Sequence, residues 1–413
     1  MHSVVSQTEI KMININETNK KHCCGCTACE SVCHKKCISM QTDNEGFKYP
    51  VVDKTKCVNC HLCEKVCPIL NKTHNVFPNT AYVVRNKNSE IVRSSTSGGA
   101  VTAFSKEIIN NGGIVFGGAF DGNFYVKHTY AETESELSKF RSSKYVQSDM
   151  GTTFTEVKQQ LDNGKFVMFT GTPCQVEGLQ NYLRKPYDNL FTIDFVCRAV
   201  PSPLVWEKYR EFMEKKFGSE ITYANFREKT YGYHSANLTL RFANGKKSIE
   251  NTNTDYMLKS FFKGICSRPS CYDCKFREPG RVSDLTVFDC WNITRYVNGL
   301  ADDDKGYTAV IIQSTKGAKL FEKAKHNLIV YPADPKLLLE NDGHMAMENP
   351  KYHKNRKESD LRKDVWHGHP QSECVYIDVS AHRKEAGDGV HHLGDRLRPG
   401  ERGQGRLPWS DPD

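Results

Sequence analysis

Cys23-Cys24-Gly25-Cys26-Thr27-Ala28-Cys29-Glu30-Ser31-Val32-Cys33 and, a short way on, Cys57-Val58-Asn59-Cys60-His61-Leu62-Cys63-Glu64-Lys65-Val66-Cys67-Pro68 carry one cysteine spacing twice. In both copies the thiols fall as C-x2-C-x2-C-x3-C, the spacing that holds a pair of 4Fe-4S cubes. Three thiolates in one tight loop cap three irons, while the fourth leaves on a helix and points to the neighbouring cube. The crossed assignment is therefore Cys23, Cys26, Cys29 and Cys67 for one cube, and Cys57, Cys60, Cys63 and Cys33 for the other. Structural zinc sites also use C-x2-C pairs, but they place four ligands around each ion in separate knuckles, which a triple C-x2-C-x2-C does not match. His34 stands where the first copy would carry the proline that Pro68 supplies to the second. Cys24 and Cys37 fall outside the pattern and read as spare thiols.

The 413 residues exceed one ordinary domain and divide into a small cluster-bearing unit and a larger core of two lobes. No apolar run approaches a membrane span, and Met1 to Lys21 is polar, so the expected location is the cytoplasm. In a reducing compartment seventeen cysteines serve metals rather than disulfides. The formal charge of +8 counts cysteines as neutral; three cubes and one dinucleotide diphosphate, each about −2, bring it near zero. With no arginine-rich helix or basic-aromatic array, nucleic acid is not an expected partner.

The expected organisation is a polar leader over 1–20, a ferredoxin-type unit over 21–75, a first lobe over 76–200, a second lobe over 201–345 and a tail over 346–413. A polar linker over 71–79 leads into a period-two segment at 81–84. Apolar runs at 113–120, 166–170 and 190–196 predict buried strands, and amphipathic stretches at 100–110, 154–161 and 175–183 predict helices between them, an α/β pattern. The second lobe opens with a helix near 203–216, followed by a hairpin of 237–242 and 246–250 about Asn244-Gly245. Further strands are expected at 284–288 and 308–313, and a surface helix at 316–325. After Glu358 the chain is rich in Gly, His, Arg and Pro and cannot offset its ordering entropy by burial, so disorder is expected. His367, His369 and Cys374 in that tail read as isolated side chains rather than a metal site.

Ser94-Ser95-Thr96-Ser97-Gly98-Gly99 precedes an amphipathic helix, where hydroxyls and open amides make either a plain cap or an anion site. Ser143-Lys144-Tyr145-Val146-Gln147-Ser148, Gly171-Thr172-Pro173-Cys174-Gln175, Asp194-Phe195-Val196-Cys197 with Pro201-Ser202-Pro203, Arg268-Pro269-Ser270-Cys271, and Ser283-Asp284 with Trp291 follow in that order. Over about residues 80–345 the chain resembles the beta-subunit family of coenzyme F420 hydrogenases and dehydrogenases, and the cluster unit resembles the ferredoxin domain often fused to bacterial members. The resemblance implies an FAD- and iron-sulfur-dependent oxidoreductase that exchanges a hydride with a deazaflavin or related carrier. It also implies that Ser95, Thr96, Ser97, Gly98 and Gly99 contact FAD, that Lys144 and Tyr145 form a second flavin-facing segment, and that Gly171, Thr172 and Pro173 lie near the flavin ring. Arg198-Ala199 stands where many members carry His-Gly, and an arginine stays charged, so a histidine proton transfer there is not open to this chain. Cys290 occupies a place usually given to an aromatic beside Trp291.

A flavin in the large domain calls for a one-electron acceptor close by. Cys271 and Cys274 form a C-x2-C pair, Cys266 precedes them in a loop marked by Pro269, and Cys197 ends a predicted strand. These four are the expected ligands of a third 4Fe-4S cluster, with Cys174 in reserve should Cys197 lie too far away; a zinc ion is the redox-inert alternative. The expected partners are a ferredoxin or another redox protein and a hydride-carrying small molecule, within a homo-oligomer or redox complex. A pure electron-transfer module without flavin is the alternative from a different class.

Overall fold

The alternating apolar runs pair into an eight-stranded sheet in a computed structural model that describes residues 19–353 and Arg356. The readings of the leader and of the tail beyond Glu358, with His367, His369 and Cys374, fall outside the described residues. In chain order the strands are β1 (Ile38–Thr42), β2 (Lys48–Val52), β3 (Thr80–Asn86), β4 (Ile114–Phe120), β5 (Val126–Ala131), β6 (Val167–Gly171), β7 (Leu190–Phe195), β8 (Ile221–Glu228), β9 (Asn237–Phe242), β10 (Lys247–Glu250), β11 (Leu285–Cys290), β12 (Tyr307–Ile312) and β13 (Leu328–Ala333). β1 and β2 make the hairpin of the cluster unit, β8 to β10 a small antiparallel sheet, and the rest one sheet in the order β13-β3-β12-β11-β7-β6-β4-β5.

Its centre, β11-β7-β6-β4, is parallel, and antiparallel strands flank it on both sides. β12 runs against both β11 and β3, so β3 points the same way as the parallel set. The loops after β3, β6, β7 and β11 therefore leave from one edge of the sheet, which is where α/β folds place their ligands. The sheet draws strands from both 76–200 and 201–345, and these two segments share its core.

Both faces are covered because the parallel strands are apolar on both sides. Helices Ala100–Asn110 and Thr315–Ala324 bury Phe104, Ile108, Leu320 and Phe321 on one face. On the other, helices Thr153–Asp162 and Pro173–Leu183 bury Phe154, Val157, Val176 and Leu179. Each such side chain contributes roughly 1.5–3 kcal/mol when fully buried. That second core continues without a break into the cluster unit, through Cys24, Cys26, Ala28 and Val66.

The polar stretch at 71–79 is strapped to the large domain: Thr73 N donates to Glu177 Oε1 (2.6 Å), Asn75 Nδ2 to the Arg281 carbonyl (2.7 Å), and Lys72 pairs with Glu177 (3.3 Å) and Glu278. No helix among the described residues is long and apolar enough to cross a membrane.

Candidate redox centre

Thiols ring three cavities, of which the one holding exposed Cys60 is the outermost. The outermost is lined by Cys33, Cys37, Cys57, Cys60 and Cys63, beside exposed Val58 and His61. The next is lined by Cys23, Cys24, Cys26, Cys29 and Cys67, with Pro68. Both crossed sets expected from the spacing are thus brought together, each with one extra thiol: Cys37 Sγ lies 3.3 Å from Cys33 Sγ, and Cys24 follows Cys23. The third cavity is lined by Cys24, Cys174, Cys197, Cys271 and Cys274. Cys24 and Cys174 are within hydrogen-bonding reach of each other, so the second and third cavities meet at that pair.

The structure brings Cys197, Cys271 and Cys274 of the expected third set together and leaves Cys266 apart. Cys266 does not line the cavity; its buried thiol lies against the Ser260 side chain, because the backbone here runs alongside Pro201 and Ser202, with Ser202 N donating to the Cys266 carbonyl (2.9 Å). Cys174, held in reserve for Cys197, lines the cavity together with Cys197. It is held at the start of helix Pro173–Leu183, where Gln175 Oε1 accepts from Thr172 N (2.9 Å) and Oγ1 (3.0 Å). A Thr-x-x-Gln helix start directly after an apolar strand was the legible signal for it.

The donor set of the N-terminal pair, two C-x2-C-x2-C-x3-C loops, suits cubes rather than single ions. Among the described residues no three His, Cys, Asp or Glu side chains converge as one ion requires, while the thiols ring volumes. Burial pushes the thiols of Cys29, Cys67 and Cys197 up, and that of Cys271 up to about 12, with neighbouring thiols adding to each. Such crowded thiols take the thiolate form only against a positive centre, which an iron core supplies. The third cavity adds Arg268, Arg277 and Arg281 to its wall. Of these, Arg281 faces a carboxylate, Asp194 (3.4 Å), whereas Arg277 donates to the carbonyls of Met345, Glu348 (2.6 Å) and Arg198. A wall of guanidiniums fits an anionic cluster.

The residues expected around a flavin separate into two groups. Thr172 and Pro173 line the third cavity, next to Gly171, whose added Cβ would stand 2.9 Å from the Phe169 ring. Ser95 to Gly99 lie instead beside the loop that carries Lys144 and Tyr145: Thr96 Oγ1 accepts from Ser143 N (2.8 Å), and Arg141 Nη1 donates to Ser94 Oγ (3.2 Å). Ser95 Oγ donates to the Ile91 carbonyl (2.6 Å), Ser97 Oγ is 2.8 Å from Thr308 Oγ1, and Gly98 N donates to that same oxygen (2.9 Å). Gly98 is small because β3 and β12 press on it; a Cβ there would meet the Val84 carbonyl oxygen at 2.5 Å and Thr308 N at 2.8 Å.

Lys144 does not extend toward a ligand. Its ammonium donates to the carbonyls of Lys139 (2.9 Å), Arg141 (2.9 Å) and Ser142 (3.2 Å), and burial pushes it down to about 7. Tyr145 packs on Phe226, Phe261 and Phe262, and its hydroxyl accepts from Arg227 Nη1 (3.1 Å). Two residues that sequence reasoning missed complete this edge. Arg227 reaches Asp289 (3.2 Å) and lies over Trp291 (4.8 Å); Lys229 ties the carbonyls of Val92 (2.9 Å), Ser97 (2.7 Å) and Lys305 (2.6 Å) together, and burial lowers it to about 8. Arg227 sits in β8 and Lys229 just after it, and that strand shows no clean alternation in sequence.

A half-buried histidine braces the helix start that carries Cys174. His128 Nε2 donates to the Thr170 carbonyl (3.0 Å), and Nδ1 accepts from Ser148 Oγ (2.8 Å), which accepts from Gln175 Nε2 (3.1 Å). Burial pushes His128 down to about 4. The neutral ring is favoured by folding, so its contribution is complete above about pH 6.5 and is lost as pH falls from there toward 4. Replacing His128 by Gln is expected to flatten the acid limb of stability over that window by up to about 3 kcal/mol relative to the parent, read by denaturant melts at pH 7 and pH 4.5. Parallel pH curves for the two proteins would refute it.

Fold and centre together define an iron-sulfur electron-transfer protein on an α/β scaffold. Residues 22–70 match the 4Fe-4S dicluster domain, and residues 164–336 match the family described as the C terminus of the coenzyme F420 hydrogenase/dehydrogenase beta subunit. Among solved structures, a chain of the F420-reducing NiFe hydrogenase complex from Methanosarcina barkeri is similar at 18% identity, with a TM-score of 0.44 over 65% of this chain and 89% of that one. No curated protein matches the chain.

Proposed function

We propose that the chain is a flavin- and iron-sulfur-dependent oxidoreductase that passes electrons between a hydride-carrying small molecule and a one-electron partner such as a ferredoxin, working in the cytoplasm within a redox complex. The observation that carries it is the set of three thiol-ringed cavities, one at exposed Cys60, one at Cys23 to Cys29 and Cys67, and one, sharing Cys24 with the second, at Cys174, Cys197, Cys271 and Cys274 by the ligand edge of the sheet. An FAD bound at that edge would supply the conversion between a two-electron hydride and the single electrons a cube can carry.

Two features of the chain support this reading. Helix Ala100–Asn110 begins at Gly99 without a side-chain cap, leaving its first amides for an anion. Half-buried Arg141 stands over Ser94 with its Nε buried and without a hydrogen-bond partner. In this reading Ser95 to Gly99 take the diphosphate, Lys229 and Lys144 hold the two loops in place, and Tyr145, Arg227, Asp289 and Trp291 wall the ring side. Gly171, Thr172 and Pro173 link that side to the third cluster.

One observation favours the flavin-free module instead: the Gly98 amide and the Ser97 hydroxyl are already engaged by Thr308. Anaerobic purification with cofactor analysis separates the two. Released FAD with about twelve irons per chain, and cluster bleaching by a hydride donor from a screen of deazaflavin and nicotinamides, supports the oxidoreductase. Iron without flavin, and reduction by ferredoxin alone, supports the module.

A further inference from the structure

Arg268 has 0% of its surface exposed, yet its acceptors are all neutral. Nε donates to the Cys23 carbonyl (2.7 Å), Nη1 to Gln147 Oε1 (2.9 Å) and Nη2 to the Lys48 carbonyl (2.9 Å), with Nη2 also 3.7 Å from Cys23 Sγ. The guanidinium lies over the rings of Tyr49 (4.2 Å) and Phe47 (5.4 Å). Among the described residues no carboxylate pairs with it. Gly25 is shaped to this approach: a Cβ there would stand 2.7 Å from Arg268 Nη1.

A fully buried cation without a counter-ion is strongly disfavoured. The missing negative charge lies on both sides of the side chain. Cys23 belongs to the second cavity, and Arg268 itself lines the third with Cys271. Each cube with four thiolates is an anion, and it becomes more so on reduction. In a buried site the attraction is not screened by water, so a nearby cation favours the reduced form. The lysine that lines the outer cavity, Lys35, is exposed and screened by water, and that cavity opens to solvent at Cys60 and Val58, the latter 55% exposed.

We infer that Arg268 is a counter-cation shared by the cube of Cys23, Cys26, Cys29 and Cys67 and by the cavity of Cys174, Cys197, Cys271 and Cys274, setting both to a higher reduction potential than the outer cube of Cys33, Cys57, Cys60 and Cys63. Electrons that enter at the exposed edge then settle inward. Arg277 lines only the third cavity and Arg281 already faces Asp194, so neither can serve both sites. The half of the inference that concerns the third cavity rests on the reading proposed above; the half that concerns the dicluster unit does not.

The test is an EPR-monitored redox titration of anaerobically purified, cluster-loaded, full-length protein. Arg268→Gln is expected to lower the midpoints of the inner cube and of the third centre while leaving the outer cube unmoved, and Arg268→Lys is expected to recover part of the shift, since it keeps the charge but not the fork. Arg268 also ties loops together, so Gln147→Glu provides a second arm: it sets a carboxylate at the Gln147 Oε1 position and offsets the charge with the arginine still present. The same midpoints are expected to fall. Unchanged midpoints in the loaded variants would overturn the inference. So would iron loss in Arg268→Gln coupled with wild-type midpoints in Gln147→Glu, which would make the arginine structural only. A shifted inner cube in a protein with two EPR signals would uphold the role at that cube, and would overturn both the third-cavity half and the third cluster.

Discussion

Replacing Cys271 by Ser is expected to remove about four of about twelve irons per chain, with matching sulfide, while Cys266→Ser leaves iron at the parent value. The two residues stand close in sequence and are both buried or nearly so, so spacing alone treats them alike. Their surroundings differ. Cys271 lines the third cavity with Cys174, Cys197 and Cys274, whereas Cys266 lies against Ser260 and is absent from that wall. A serine at 271 is a poor ligand for the iron that a thiolate would hold. At 266 it only exchanges one small buried side chain for another beside a hydroxyl. Iron and acid-labile sulfide are measured on the full-length protein, because Cys24 of the cluster unit forms part of the same cavity and a shortened chain would open it. Equal iron in both variants would refute a cluster at this place, and iron loss in Cys266→Ser alone would restore the ligand set that spacing suggested.

The contrast also marks how far sequence reaches. The dicluster pattern was legible because its geometry is local: each loop carries its own three thiols, and the crossing fourth follows within a helical turn, as Cys33 and Cys67 do. Strands such as β4, β6, β7 and β9 were legible because burial on both faces, or a tight turn, leaves a strong signal. β5 and β13 carry exposed polar or mixed faces, as in His128, Thr129 and Tyr130 or Ile329 and Pro332, and pass for loop. The third cavity depends on which loops meet at the sheet edge, and that is fixed by strand order rather than by spacing. Cys174 and Cys197 end up together because β6 and β7 are parallel neighbours, with Gly171 opposite Asp194. Arg227 and Lys229 gave no signal at all, and Arg268 stood in a motif string without a role of its own; a lone cation in sequence reads as surface until burial and partners are known.

Gly178→Val is expected to cost the inner cube and to detach the cluster unit from the large domain. Gly178 lies in helix Pro173–Leu183, on the face that meets the loop of Cys23 to Cys29. A Cβ at this position would stand 2.9 Å from both Cβ and Sγ of Cys26, closer than such atoms approach without movement. Neither side can give way cheaply. The helix is fixed on the sheet by Val176 and Leu179, both 0% exposed, and Cys26 is tied to its place as one of the ring of thiols with Cys23, Cys29 and Cys67. Overpacking a filled core typically costs about 1–3 kcal/mol, comparable to what one or two buried side chains contribute. Here the displaced atom is a ligand, so the strain is expected to appear as iron loss of about four per chain rather than as unfolding. Gly178→Ala carries the same Cβ without the branch and should give the same direction with a smaller loss. Proteolysis after the cluster loop, near exposed Val76 and Phe77, should quicken in step with the iron loss, because the strap from Thr73 to Glu177 is anchored on this same helix. Full iron content and an unchanged cleavage rate in Gly178→Val would show that the helix and the cluster loop can part without consequence, and that the close approach is not what holds the two units together.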